Sequence, residues 1–145
     1  MNDEPPLIDT NILVYAFDET EPEKKAKCKK IVEKILRGET KAIVSNQILA
    51  EFYNALTKKI EKPIESEKAL KIVQSFLRAG NIAKIDYTSK TVEKAIKKTM
   101  GHKAHFWDSL IAETMLENQV FEILTENEKD FSKIGQIKAV NPMKN

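Results

Sequence analysis

Short apolar segments alternate with amphipathic helical segments along nearly the whole chain, and this alternation most constrains the fold. Strands are predicted over residues 7–9, 41–44, 82–85, 120–124 and 137–140, and helices over residues 21–37, 45–59, 66–78, 89–100 and 106–118. Strands that alternate with helices of this length form a parallel sheet that is covered on both faces. The sequence therefore predicts one α/β domain over residues 1–145.

Capping and breaking residues support several of these boundaries. Gly38 is expected to close the helix over 21–37, and Ser45 is expected to cap the next helix. Pro63 then breaks the chain, and the segment over 137–140 is predicted to be an edge strand before Pro142.

Charge and composition exclude several classes of protein. The 24 basic and 22 acidic residues give a net charge of +2, which is unlike a histone-like protein or an acidic disordered tail. The one cysteine, Cys28, excludes an intramolecular disulfide framework, and with only two histidines a zinc site is not expected. No apolar run reaches the roughly 18 residues that a membrane span requires. The first six residues are acidic and proline-rich, unlike a signal peptide, so a cytoplasmic location is expected.

Two acidic segments are predicted to reach the same edge of the sheet. Asp9 is at the carboxyl end of the first predicted strand, and the loop from Thr125 to Phe131 follows the fourth and carries Glu126, Glu128 and Asp130. The carboxyl ends of parallel strands share one edge, which is where open α/β sheets place their sites. Carboxylates gathered there repel one another unless cations neutralise them. Oxygen ligands of this kind suit Mg²⁺ or Mn²⁺.

Asp108 lies on the apolar side of its predicted helix. The apolar residues within about 80° of Asp108, at about 100° per residue, are Ile111, Ala112, Met115 and Leu116. Glu113 and Glu117 fall at about 140° and 180° and point away from that face. The same pattern also fits an N-cap at Asp108, and the two roles can coexist.

Glu51 lies at the edge of the apolar stripe of its helix, beside Asn54. Spacing alone does not separate a solvated residue from a metal ligand at this position. The two histidines, His102 and His105, are three residues apart, and a role at the start of a helix is expected rather than metal ligation. Trp107 is expected to pack in the core, with stacking on a base as the alternative.

Four ordered blocks of sequence resemble the PIN domain family. The blocks are Leu7-Ile8-Asp9-Thr10-Asn11, Ala50-Glu51-Phe52, Phe106-Trp107-Asp108-Ser109-Leu110-Ile111-Ala112 and Leu124-Thr125-Glu126-Asn127-Glu128-Lys129-Asp130-Phe131. The resemblance extends over a core of about residues 7–140. It implies a three-layer α/β/α fold and a metal-dependent ribonuclease, often the VapC-type toxin of a toxin–antitoxin pair.

The resemblance also implies a set of metal ligands. Asp9, Glu51 and Asp108 match the first three acids of the family's metal site. Relatives carry the fourth acid either at the position of Asn127 or directly before the phenylalanine, so Asp130 is favoured here and Glu126 is the substitute.

Asn11 and Thr125 are expected to orient the ligands rather than to carry charge, and Asn127 is a supporting residue. A phosphatase is a second hypothesis, but its second aspartate would stand where this chain has Asn11. A catalytically weak RNA-binding or assembly module is a third, since Asn127 replaces an acid.

An RNA substrate, a homodimer and an antitoxin partner are further implications of the resemblance. The apolar residues predicted to be available for such contacts, with an ordinary core role as the alternative, are Phe52, Tyr53, Leu56, Ile72, Phe76 and Leu77.

Overall fold

The structure is a computed structural model that describes residues 4–101 and 105–144. Its strands are β1 (Leu7–Ile8), β2 (Ala42–Ser45), β3 (Ile82–Ile85), β4 (Glu122–Leu124) and β5 (Lys138–Val140). Its helices are α1 (Thr10–Tyr15), α2 (Pro22–Leu36), α3 (Asn46–Asn54), α4 (Ser66–Arg78), α5 (Ser89–Gly101), α6 (Phe106–Glu117) and α7 (Glu128–Ser132). The predicted alternation of strands and helices is confirmed.

The five strands form one parallel sheet in the order β3-β2-β1-β4-β5. Leu7 of β1 pairs with Ile43 on one side and with Ile123 on the other, so β1 is central. The predicted edge position of the last strand is confirmed. The strand order reverses between β1 and β4, and such a reversal opens a crevice at the carboxyl ends of the two strands.

Helices cover the sheet in two groups. Helices α1 to α4 pack against one another, and α5 packs along α6. Right-handed crossovers place the helices of the two halves on opposite faces of the sheet. The predicted three-layer α/β/α architecture is therefore confirmed, and the buried core lies on both sides of β1 and β2.

Local capping follows the sequence closely in two places. Gly38 has a φ of 79°, and its N–H donates to the Ile35 carbonyl at 3.0 Å, which closes α2. Ser45 caps α3, because its hydroxyl oxygen accepts a hydrogen bond of 3.1 Å from the Ile48 N–H. Both predictions are confirmed.

Two boundaries differ from the prediction by more than one residue. The sequence predicts one helix over 45–59, but α3 ends at Asn54. The chain then continues as a wider π-helical turn over Ala55–Lys59. The fourth strand begins at Glu122, because Gln119 has a φ of 57° and the Val120 N–H bonds to the Met115 carbonyl at 2.9 Å. Val120 therefore closes the turn that follows α6 and is not part of the strand.

Cys28 is fully buried in α2, and burial raises the pKa of its thiol to about 11. The thiol is therefore protonated near neutral pH and packs as a small apolar group. Across residues 4–101 and 105–144, no helix combines the length and the apolarity needed to cross a membrane.

Candidate metal centre

Asp9 lies directly after β1, in the crevice between β1 and β4, and only 5% of it is exposed. Its Oδ1 accepts a hydrogen bond of 2.8 Å from the Thr10 N–H. Its Oδ2 accepts one of 2.7 Å from the Thr125 hydroxyl and one of 3.3 Å from the Asn11 amide. Three donors from two elements therefore fix the orientation of this carboxylate.

These hydrogen bonds do not fully offset the cost of burying the charged form of Asp9. Burial raises the pKa of Asp9 from 3.8 to about 6, although hydrogen bonds from Thr125 and Thr10 act in the opposite direction. The carboxylates of Asp108 and Glu51 raise the pKa further. Three acids from three elements therefore interact across one crevice.

Glu51 faces α1 from the second turn of α3. Its Oε1 accepts a hydrogen bond of 3.1 Å from the Thr10 hydroxyl, and its Oε2 is 3.5 Å from the Gln47 amide nitrogen. The same nitrogen of Gln47 donates to the Trp107 carbonyl at 3.2 Å. Gln47 was missed by sequence reasoning, although its spacing of four residues from Glu51 places both on one side of the helix.

The hypothesis that Asp108 caps α6 is wrong. The helix begins at Phe106, and His105 occupies the N-cap position. The Ser109 N–H already donates to the His105 carbonyl at 3.0 Å, so Asp108 lies inside the first turn. Asp108 is therefore free to face the crevice.

Among the neighbouring acids, Asp130 in α7 has the largest electrostatic effect on the pKa of Asp108. The pKa of Asp108 is raised, first by burial, then by the Asp130 carboxylate and to a smaller extent by Glu51, while His105 lowers it. Asp108 and Asp130 also line the same cavity. The fourth acid favoured by the sequence is thus brought next to Asp108.

Glu126 is held on the other side of its loop. Its Oε1 accepts a hydrogen bond of 2.7 Å from the Tyr15 hydroxyl, and its Oε2 lies 2.8 Å from Lys24 Nζ. Partial burial acts to raise the pKa of Glu126, but the hydrogen bonds from Lys24 and Tyr15 outweigh it and hold the pKa below its usual value. Both oxygens of Glu126 are therefore engaged, one in an ion pair with Lys24 of α2 and the other in a hydrogen bond from Tyr15 of α1.

Asn11, Thr125 and Asn127 link β1 to the loop after β4. Asn11 donates to Asp9, and its Oδ1 accepts a hydrogen bond of 3.1 Å from the Glu126 N–H. The Asn127 N–H donates to the Thr125 hydroxyl oxygen at 2.9 Å, so that hydroxyl is left to donate to Asp9. The amide side chain of Asn127 is exposed.

Aromatic and histidine residues lie at the start of α6. Trp107 is 57% exposed, so the expectation that it packs in the core is wrong. Its ring contacts Phe106, with the two centroids 5.1 Å apart. His105 forms no side-chain capping bond, and His102 lies outside the described residues.

The donor chemistry of the four acids suits a hard divalent cation. Among residues 4–101 and 105–144, no lysine or arginine forms an ion pair with Asp9, Glu51, Asp108 or Asp130. Their mutual repulsion and the burial of Asp9 are costs that a cation would relieve. In their present rotamers, however, no three His, Cys, Asp or Glu side chains of the described part come close enough to hold one ion. Binding would therefore draw the carboxylates inward.

Solved structures of similar fold include toxins and toxin–antitoxin complexes. The Mycobacterium tuberculosis VapC20, a sarcin–ricin loop cleaving toxin, is 14% identical with a TM-score of 0.66, and the match covers 91% of this chain and 96% of that one. A toxin–antitoxin complex from Klebsiella pneumoniae is 20% identical with a TM-score of 0.64, covering 94% and 97%. VapBC2 from Rickettsia felis, bound to a promoter DNA fragment, is 21% identical with a TM-score of 0.63, covering 94% and 97%. At these identities the likeness establishes the fold.

Sequence comparison assigns the family. No curated protein matches the chain at a significant level. The profile of the PIN domain matches residues 7–137, which includes Asp9, Glu51, Asp108 and Asp130. The chain belongs to the PIN domain family.

Proposed function

We propose that this chain is a metal-dependent endoribonuclease that hydrolyses RNA phosphodiester bonds. PIN domains generally use divalent metal ions. The observation that carries the proposal is the set of four acids at the carboxyl edge of the sheet, with Asp9 buried and no basic side chain of the described part paired to any of them.

Asp9, Glu51, Asp108 and Asp130 are proposed to hold Mg²⁺ or Mn²⁺. When bound, the ion would polarise the phosphate and lower the pKa of a coordinated water. Thr125, Asn11 and Thr10 hold the Asp9 carboxylate in one orientation, and Thr10 also holds Glu51. Because these side chains are already held in place, less conformational entropy is lost when the substrate binds.

The position of Asn11 argues against a phosphatase. A phosphatase would use a second aspartate there, whereas the Asn11 amide spans Asp9 and the Glu126 backbone. The residue serves as a link between two loops rather than as an acid.

A catalytically weak RNA-binding module is the second candidate function. It is favoured by the exposed Asn127, which takes the place of an acid in some relatives. This candidate shares the fold but predicts RNA binding without cleavage.

We further propose that residues 1–145 form one PIN domain and that the protein acts as the toxin of a toxin–antitoxin pair. The similar folds of the Klebsiella and Rickettsia complexes support this assignment. A homodimer and a cytoplasmic location are parts of the same proposal.

The test is cleavage of a panel of structured RNAs with Mg²⁺, with Mn²⁺ or with EDTA. Wild type should cleave at least one RNA when metal is present and none in EDTA. The Asp9→Asn variant should lower the cleavage rate by at least about 100-fold. Asp86→Asn is the matched control, because Asp86 directly follows β3 and is exposed. Binding without cleavage would support the RNA-binding module, and cleavage that survives EDTA would contradict metal dependence.

A further inference from the structure

A cavity of about 340 Å³ lies beside the proposed metal centre, between α5, α6 and the segment after α7. Asp108 and Asp130 form part of its wall. Its size falls within the range of small-ligand pockets. A nucleotide whose phosphate lies at the acids can therefore extend its base into this cavity.

Glu113 lines the cavity and is only 8% exposed. Within residues 4–101 and 105–144, its carboxylate has no hydrogen bond and no ion pair. In the described part of the chain its two oxygens are not fully enclosed by protein, so they can accept hydrogen bonds from a ligand that enters the cavity. The proposed metal site does not use this residue.

The remaining walls suit the other parts of a nucleotide. Ala112 and Ile134 supply apolar surface, and the exposed Lys98 and Lys133 supply positive charge. Neither lysine pairs with Glu113, so both charges are available to a phosphate. The cavity thus combines an apolar wall, a carboxylate acceptor and a basic rim.

We infer that this cavity is a guanine-binding subsite in which the Glu113 carboxylate reads the Watson–Crick edge of the base. Guanine presents two neighbouring donors there, N1–H and the N2 amino group, and the two carboxylate oxygens can accept both. Adenine and cytosine present one amino donor beside a ring-nitrogen acceptor, which would repel the carboxylate. Uracil presents one N–H between two carbonyl oxygens.

The inference rests on the proposed ribonuclease function, because it places a guanosine next to the cleaved bond. The preference itself is a binding property and can be measured without cleavage. The probes are GMP, IMP, AMP, CMP and UMP, titrated by calorimetry into the full chain with Mg²⁺; these mononucleotides contain no phosphodiester bond, so binding is measured without cleavage. IMP keeps the N1–H of guanine but lacks the N2 amino group.

GMP should bind the wild type most tightly, and IMP should bind about 5- to 100-fold more weakly, as expected for loss of one of two paired hydrogen bonds. Glu113→Gln should remove the GMP preference, because its amide places a donor against guanine. Glu117→Gln is the matched control: Glu117 lies four residues later on α6 and is exposed. Equal binding of GMP and IMP by the wild type would overturn the inference without relying on any variant.

The two proposals fail in different ways. A GMP preference in a chain that cleaves no RNA would support the subsite and overturn the ribonuclease. Metal-dependent cleavage with no preference among the five nucleotides would overturn the subsite and support the ribonuclease.

Discussion

The Thr125 hydroxyl donates a hydrogen bond of 2.7 Å to Oδ2 of Asp9, and both residues are buried. The bond joins the loop after β4 to the end of β1 at the point where the strand order reverses. It also holds the pKa of Asp9 below the value that burial alone would produce. Thr125 is therefore a positioning residue for the proposed metal ligand.

Thr125→Val should weaken the metal site while preserving the volume of the side chain. Loss of the hydrogen bond leaves Oδ2 of Asp9 with only the longer contact from Asn11. We expect metal affinity or metal-dependent cleavage to fall by about 10- to 100-fold. The measurement is the Mn²⁺ concentration that gives half-maximal cleavage. Thr125→Ser should restore it, and an unchanged Mn²⁺ requirement in Thr125→Val would refute the positioning role.

Asp130→Ala should lower nuclease activity more than Glu126→Ala. The Asp130 carboxylate acts on Asp108, whereas both oxygens of Glu126 are bound by Tyr15 and Lys24. We expect about a 10- to 100-fold loss for Asp130→Ala. Rates measured over a metal titration provide the ranking, and the opposite ranking would assign the fourth ligand to Glu126.

The stability of the metal-free protein should fall as the pH rises from about 4 to about 6. The pKa of Asp9 is about 6 in the folded chain and 3.8 ordinarily, so the folded state binds the proton more tightly and is stabilised only below that range. Asp108 is shifted in the same direction. The contribution of Asp9 is up to about 3 kcal/mol.

Urea unfolding in EDTA between pH 4 and pH 7.5 measures this effect. Asp9→Asn should show a smaller decrease than wild type over the same range, since its side chain does not titrate. Added Mg²⁺ should stabilise wild type mainly above about pH 6, because binding requires the deprotonated carboxylate. Parallel pH profiles for wild type and Asp9→Asn would show that Asp9 is not the titrating group.

Light scattering should give a mass of twice 16.5 kDa if the proposed homodimer forms. Leu70 and Leu77 are each 51% exposed and lie seven residues apart, so they share one face of α4, and Tyr53 on α3 is 37% exposed. The double variant Leu70→Lys/Leu77→Lys should have the mass of a monomer if this face forms the interface. A wild-type mass near 16.5 kDa at micromolar concentration would contradict the homodimer.

Of the six apolar residues predicted from sequence to be available for contacts, three are fully buried in the core: Phe52, Leu56 and Phe76. Helical spacing placed these side chains on an apolar stripe but could not show how much of the stripe the sheet covers. The surface left for a partner is correspondingly smaller than the sequence suggested.

Local patterns predicted the fold well because strands, caps and breakers act over a few residues. The bounds of α4 and β3 match the prediction, and Ser45 caps as expected. Local patterns did not predict the burial of Glu113. Its angle on α6 pointed away from the apolar face, yet packing against the α5 and α7 segments buries it.

The candidate site was predicted in part for the same reason. The position of Asp9 after a strand follows from local pattern, whereas the partners of Glu126 do not. Lys24 lies 102 residues from Glu126 in sequence, and only the packing of α2 beside the β4 loop brings the two together. No local signal could separate this ion pair from a metal ligand.

The most direct test of the shared metal centre is thermal unfolding with and without Mn²⁺. Saturating Mn²⁺ at about 100 times its Kd should raise the Tm of wild type by about 5–10 °C. Asp108→Asn should raise the metal-free Tm, because it removes one repelling charge, and should largely abolish the Mn²⁺ response. Asp86→Asn should respond as wild type does. Equal Mn²⁺ responses in wild type and Asp108→Asn would contradict a metal centre shared by these acids.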